Sequence, residues 1–101
     1  MVFEHFVVFH ALEGREENLT SALTEFAETA RALDCVLDFT FGANRNPSGL
    51  AHGYTHGCYM RMTSEDDFKS EYWPHPAHRR LLGRLDELCA DRFGIYYDLP
   101  G

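Results

Sequence analysis

Two histidines and a tyrosine occur together in the segment 72–78, whose sequence is Tyr-Trp-Pro-His-Pro-Ala-His. Pro76 has a fixed φ and no amide proton, so it suits the first position of a helix, with His75 extended before it. His78 then lies in the first turn, at the head of an apolar stripe with helical spacing. That stripe consists of Leu81, Leu82, Leu85, Leu88 and Cys89. We therefore expect the His78 side chain to point into the core.

A neutral imidazole at this position can act as a general base. The positive end of the helix dipole and partial burial both favour the uncharged form of His78. Tyr72 offers a phenol that can hold a substrate carbonyl or its developing enolate. The pair predicts proton abstraction beside a carbonyl, which general acid–base catalysis accelerates by about two to four powers of ten without a cofactor. The alternative is that His78 is a core histidine bonded to a backbone carbonyl.

Two further histidines, His5 and His56, interrupt apolar strands. If the first and third strands are antiparallel neighbours, both histidines face the helices and lie close across the strands. They are candidate substrate-binding residues, although each is also suited to satisfying a buried carbonyl or the other histidine. Together with His75 and His78 they supply enough imidazoles for zinc or copper, but their face carries no Asp or Glu. We expect no metal.

Apolar side chains should form the walls of the pocket around these groups. The predicted walls are Val7, Phe9, Leu23, Phe26, Cys58, Leu81 and Leu85. Such walls imply an apolar or aromatic small-molecule substrate with few polar groups. The sequence has no glycine-rich phosphate loop and no nucleophile elbow, so nucleotide cofactors and serine hydrolase chemistry are not expected.

The composition predicts one small domain over residues 1–101. A net charge of −7 repels nucleic-acid phosphates and anionic lipids, so neither nucleic acid nor membrane is an expected partner. The apolar N-terminal run lacks the basic region and cleavage site of a signal peptide and is too short to span a membrane. Three isolated cysteines, Cys35, Cys58 and Cys89, fit reduced core residues of a cytoplasmic protein.

Alternating and helical patterns predict the order β-α-β-β-α-α-β. The strands are expected at residues 3–10, 36–42, 54–62 and 93–98. The helices are expected over 15–33, from a short capped turn at Ser64, and from Pro76. Asn, Pro, Ser and Gly dominate residues 43–53, which predicts a flexible loop that can serve as a lid.

Two β-α-β halves of this kind predict an α+β, ferredoxin-like sheet with helices on one face. His5 and Val7 should face the helices, while Phe6 and Val8 should lie on the opposite face. An uncovered apolar sheet face favours self-association, so we expect a homodimer.

Several sequence elements resemble those of one known family. They are the segment 53–56 (Gly-Tyr-Thr-His), Tyr72, the segment 75–78 (His-Pro-Ala-His), the segment 96–98 (Tyr-Tyr-Asp) and His5. On these the chain resembles the stress-responsive dimeric A/B-barrel (Dabb) domain along essentially its whole length. The resemblance implies a ferredoxin-like homodimer whose two sheets join into a dimeric α/β barrel.

Within this family, the chain is similar to plant polyketide cyclases, which perform an aldol-type ring closure without a cofactor. Their catalytic histidine and tyrosine match His78 and Tyr72, and their pocket histidines match His5 and His56. The chain differs from them at residues 73–74 (Trp-Pro) and in the loop before the third strand, which leaves the substrate open.

These observations lead to one main functional hypothesis and two alternatives. The main hypothesis is a cofactor-independent acid–base enzyme, a cyclase, isomerase or lyase, acting on a carbonyl-bearing polyketide-like or aromatic metabolite. His78 is its base and Tyr72 its carbonyl partner. The alternatives are a non-catalytic stress-responsive barrel or small-ligand carrier, and a cofactor-independent oxygenase.

Overall fold

The computed structural model describes residues 2–100, which form four strands and three helices in the predicted order. These elements are β1 (Phe3–Ala11), α1 (Glu16–Arg31), β2 (Val36–Ala43), β3 (His56–Met62), α2 (Glu65–Asp67), α3 (Pro76–Leu88) and β4 (Cys89–Asp98). The strands make one antiparallel sheet in the order β2-β3-β1-β4. This is the ferredoxin-like α+β topology expected from the sequence, with β1 and β3 at its centre.

The helices α1 and α3 cover one face of the sheet and bury the core. Apolar positions of α1 recur every three or four residues, and Leu19 and Leu23 of this helix are fully buried, as are Met60 and Met62 of β3. Two arginines of α3, Arg80 and Arg84, reach the same carboxylate, Glu25 of α1, at 3.5 and 2.7 Å.

The last strand begins earlier than the sequence pattern indicates. The helix α3 ends at Leu88, and Cys89 already has extended backbone angles, with φ −117° and ψ 139°. Cys89 therefore opens β4 and does not extend the apolar stripe of α3, and the strand includes Arg92, which the predicted strand of 93–98 omits. Leu88 accepts a hydrogen bond from the Leu12 amide at 2.8 Å, and this bond fixes where the chain leaves the helix.

The short helix α2 starts at the expected cap and then changes its winding. The Ser64 hydroxyl accepts the Asp67 amide at 3.0 Å, as the serine-to-acid spacing predicts. The Asp67 carboxylate accepts a hydrogen bond from the Thr63 hydroxyl. Residues Phe68–Tyr72 continue as a π-helical turn, in which the Trp73 amide donates to the Phe68 carbonyl at 2.8 Å. This wider turn carries Phe68 and Tyr72 into the core.

None of the helices in the described part of the chain covers the other face of the sheet. Phe6 of β1 and Phe93 and Ile95 of β4 are 41%, 56% and 51% exposed there. The same face carries a buried carboxylate, Glu4, which accepts hydrogen bonds from Tyr59 at 2.6 Å and from Arg61 at 3.0 and 3.2 Å. Within residues 2–100, no helix has the length and apolarity that crossing a membrane requires.

Candidate active site

A cavity of about 160 Å³ lies between the sheet and the helices α1 and α3. It brings together most of the side chains singled out from the sequence. Its predicted lining residues are His5, Val7, Phe9, Leu23, Phe26, Cys58, Tyr72, His78, Leu81 and Leu85. None of the described loop residues 44–55 lines this cavity. The role of the loop as a lid therefore stays a prediction.

His78 is buried in the first turn of α3, where the proline and the cap before it fix its position. Pro76 opens the helix, and the His75 ring nitrogen Nδ1 accepts the Ala77 amide at 3.1 Å. The Trp73 carbonyl is 3.0 Å from Nδ1 of His78, so that nitrogen carries the proton and donates it. Nε2 is then the lone-pair nitrogen, and it has no hydrogen-bond partner in the described chain.

The environment of His78 keeps its imidazole neutral. Burial lowers the pKa of His78, the hydrogen bond to the Trp73 carbonyl opposes that shift, and the positive charge of Arg92 adds to it. The ring packs between two aromatic side chains, with centroids 4.6 Å from Tyr72 and 4.8 Å from Trp73. A neutral, oriented imidazole with a free Nε2 is the form that a general base requires.

Tyr72 forms the roof of the cavity beside His78. The ring is buried, and burial raises the pKa of Tyr72 well above its ordinary value. The phenol therefore keeps its proton and can donate it to a carbonyl oxygen. Its ring centroid lies 5.9 Å from Phe26 and 5.4 Å from Phe68, contacts that hold the ring in place.

His5 is the least satisfied polar group of the described chain. Both of its ring nitrogens are buried without a hydrogen-bond partner within residues 2–100. Its ring stacks on Tyr96, which is its register partner in β4, with centroids 4.4 Å apart, and lies 6.3 Å from Tyr72. Burial lowers the pKa of His5 to about 4, so the ring is neutral at physiological pH. A buried imidazole of this kind can complete its hydrogen bonds with a water molecule or with a polar ligand.

His56 does not lie beside His5, contrary to the sequence-based expectation. The β1–β3 register places His56 opposite Phe9, whereas His5 lies opposite Met60, four residues along the strand, or roughly 13 Å. His56 does not line the cavity. Its Nδ1 and Nε2 bond the hydroxyls of Thr55 and Thr20 at 2.9 and 2.8 Å. Both ring nitrogens therefore have hydrogen-bond partners inside the protein, and this favours a structural role for His56 over substrate binding.

The cysteines and acidic groups add no further reactive centre to the cavity. Burial raises the pKa of the Cys58 thiol to about 12, so this side chain is a neutral wall. All three cysteines are free thiols. In the described part of the chain, no group of three or more His, Cys, Asp or Glu side chains is placed to hold a metal ion.

Sequence reasoning missed several residues of the lining. They are Phe39, Trp73, Leu82, Arg92, Gly94 and Tyr96, together with Phe93, which lies between Arg92 and Gly94 in β4 although its register places its side chain on the opposite face. Arg92, Gly94 and Tyr96 alternate along β4 opposite Phe9, Val7 and His5, so the helix-facing period of this strand was the available signal. The predicted strand begins at residue 93, so this alternation does not reach Arg92 in the sequence-based prediction.

A family model matches nearly the whole chain. The stress-responsive A/B barrel domain, Dabb, matches residues 3–98. No curated protein matches this chain in sequence.

Solved structures share the fold at low sequence identity. A dimeric ferredoxin-like protein of unknown function from Jannaschia sp. CCS1 has a TM-score of 0.87 and 21% identity, over 98% of this chain and 100% of its own. A Dabb family protein from Mesorhizobium loti has a TM-score of 0.76 and 21% identity, over 99% and 98%. The hydroxynitrile lyase of Passiflora edulis has a TM-score of 0.79 and 14% identity, over 98% and 94%. Since the family model covers residues 3–98, this chain belongs to the stress-responsive A/B barrel (Dabb) family.

Proposed function

We propose that this chain is a cofactor-independent acid–base enzyme that acts on a small carbonyl-bearing metabolite. The observation that carries the proposal is one cavity lined by three neutral, proton-exchanging side chains, His5, Tyr72 and His78. His78 takes the proton next to the carbonyl through Nε2, and Tyr72 donates to the carbonyl oxygen. His5 supplies a further hydrogen bond to the bound substrate.

The reaction class is a cyclisation, an isomerisation or a lyase cleavage. All three begin or end with a proton moving beside a carbonyl. The cavity, at about 160 Å³, has about the volume of an engineered cavity that holds benzene, which favours an aromatic ring or short chain over a multi-ring polyketide. The Passiflora lyase supports only the point that this fold hosts enzymes.

We also propose that the protein is a cytoplasmic homodimer. The uncovered face of the sheet exposes Phe6, Phe93 and Ile95, and the Jannaschia protein of the same fold is described as dimeric. An exposed apolar face of this kind suits a second copy of the chain. Three unpaired cysteines suit a reducing compartment.

Deuterium exchange tests the chemistry without knowledge of the natural substrate. We expect the protein to catalyse exchange of the methyl protons of acetophenone in D2O, followed by proton NMR. The His78→Ala variant should lose about two to four powers of ten of the exchange rate because it lacks the base. His52→Asn removes an exposed histidine outside the cavity and should exchange like the wild type. Wild-type exchange no faster than that of His78→Ala would sink the assignment.

The Tyr72→Phe variant separates the role of the hydroxyl. Exchange should fall while acetophenone binding stays constant or improves, because the phenol acts mainly on the developing enolate. If binding and exchange fell by the same factor, Tyr72 would only contact the ligand and would have no role in the transition state.

A ligand carrier is the second candidate function. The hydrogen bond from His78 to the Trp73 carbonyl favours it, since this contact alone also suits a structural histidine. A carrier binds acetophenone without exchange, and His78→Ala then changes affinity or melting temperature only.

A further inference from the structure

The cavity carries one fixed charge. Among the described residues that line it, Arg92 is the only side chain with a permanent charge, and no carboxylate lines it. The remainder of the lining is apolar, aromatic or neutral imidazole. The chain as a whole has a net charge of −7, so this cavity is cationic in an acidic protein. A local charge of opposite sign to the whole molecule selects for the sign of the ligand.

Arg92 lies at the mouth of the cavity. It pairs with Phe9 in the β1–β4 register, so its side chain leaves the sheet on the face that the helices cover. The side chain is 35% exposed, which places it partly in the cavity and partly in solvent. Its charge also reaches His78, whose pKa it lowers.

Only one nitrogen of the Arg92 guanidinium has a hydrogen-bond partner in the described chain. Nη1 donates to the Asp86 carboxylate of α3 at 3.0 Å, and Asp86 is largely exposed. In residues 2–100, Nε and Nη2 have no hydrogen-bond partner. An arginine with two free N–H groups matches the two oxygens of a carboxylate, and an exposed ion pair such as that with Asp86 is weak enough to be shared or displaced.

We propose that the ligand of this cavity is a small organic anion, a carboxylate whose negative group binds Arg92 at the mouth. The apolar body of the ligand fills the cavity. This proposal rests on the proposed function and extends it. A carbonyl group on the apolar part of the ligand would lie among the side chains of His5, Tyr72 and His78. The substrate class is then a small aromatic or short-chain oxo acid.

Benzoate and benzamide form a matched pair of probes, because they share size and shape and differ in charge. We expect calorimetry to show benzoate binding about tenfold more tightly than benzamide to the wild-type protein. The Arg92→Gln variant should lose this preference. Arg79→Gln, on the exposed side of α3 outside the cavity, should behave as the wild type. Equal affinities in the wild type, or a preference that survives in Arg92→Gln, would overturn the proposal.

Asp86→Asn distinguishes ligand binding from a structural ion pair. If Arg92 binds the ligand, Asp86 competes for its guanidinium, and its neutralisation should strengthen benzoate binding by about threefold or more. If the pair only stabilises the fold, Asp86→Asn and Arg92→Gln should change benzoate binding in the same direction, and the proposal falls.

The two proposals fail separately. Benzoate selectivity that depends on Arg92, without acetophenone exchange, leaves an anion carrier and removes the enzyme. Exchange with no preference for benzoate keeps the acid–base function and removes the anionic substrate.

Discussion

At the scale of single residues, the site depends on which nitrogen of each histidine is already bonded. His78 uses Nδ1 for the Trp73 carbonyl and keeps Nε2 free. The backbone bond that a structural histidine would make is therefore also the bond that orients a base. His56 has both nitrogens bonded to threonines, and His5 has neither bonded within the described chain. Of the three histidines, His5 should contribute least to the stability of the protein. Its hydrogen bonding also depends most on a bound ligand.

Replacing His5 by leucine should stabilise the protein. Two unpaired buried nitrogens disappear, so we expect a gain of about 1 kcal/mol in the free energy of unfolding at pH 7. Urea denaturation measures it, and His56→Leu is the matched control. That variant should be destabilised, because it removes the hydrogen bonds between the imidazole and the hydroxyls of Thr20 and Thr55. A His5→Leu protein no more stable than the wild type would contradict the prediction.

The same variant should change the pH dependence of stability. The folded pKa of His5, about 4, lies below its ordinary value of 6.5, so between these pH values the unfolded chain binds a proton that the folded chain does not. Titration of His5 therefore costs no stability above pH 6.5, and it lowers the free energy of unfolding by roughly 3 kcal/mol as the pH drops to 4. Denaturation at pH 7 and pH 5 should show a smaller loss for His5→Leu. Identical losses would show that His5 does not titrate in this window.

At the scale of elements, helix ends position the two proposed catalytic groups. Tyr72 closes the π-helical turn that follows α2, and His78 lies in the first turn of α3, three residues after the His75 cap. A π turn widens the helix by one residue per turn, and such turns are frequent at functional sites. The spacing between tyrosine and histidine is thus set by two caps and one irregular turn.

The cap at Ser64 should be worth about 1 kcal/mol. Ser64→Ala removes the acceptor of the Asp67 amide, so the free energy of unfolding falls by that amount in urea denaturation. Ser64→Thr keeps a hydroxyl at the same position and should retain most of the stability. Equal losses in both variants would show that the hydroxyl bond does not stabilise the turn.

At the scale of the whole molecule, the uncovered face of the sheet has both projecting side chains and a depression, a shape that suits binding of a second copy of the chain. Phe93 and Ile95 project from β4 at one edge. Gly42 and Gly57, paired across β2 and β3, leave a depression towards the other edge. In the proposed homodimer a two-fold axis would pair this face with its own copy, and we expect the projecting edge of one protomer to meet the depression of its partner.

A charge on the projecting apolar edge of this face should dissociate the proposed dimer. Ile95→Glu places a carboxylate where the proposed interface excludes water, and we expect the dimer dissociation constant to rise about a hundredfold. Sedimentation velocity measures this change. Leu50→Glu, in an exposed turn outside the sheet, is the control and should leave the association unchanged. An Ile95→Glu protein that sediments like the wild type would place the interface elsewhere.

The sequence by itself determined the order of the elements, the apolar faces of α1 and α3, and the entry of His78 into the core. Each depends on spacing within a few residues, on a proline at the start of a helix or on a serine cap, and such local preferences act before any long-range contact forms. The predicted cavity walls followed from the same periodicity.

Only the tertiary structure decided which histidines meet. The β1–β3 register separates His56 from His5, and the threonines that satisfy His56 come from α1 and from the residue before β3. The early start of β4 brings Arg92 to the cavity mouth, and the π turn aims Tyr72 at His78. These placements depend on pairing between segments far apart in the chain, where a shift of one residue reverses a side chain's face, and the pattern within one segment does not show which residue of another segment it will meet.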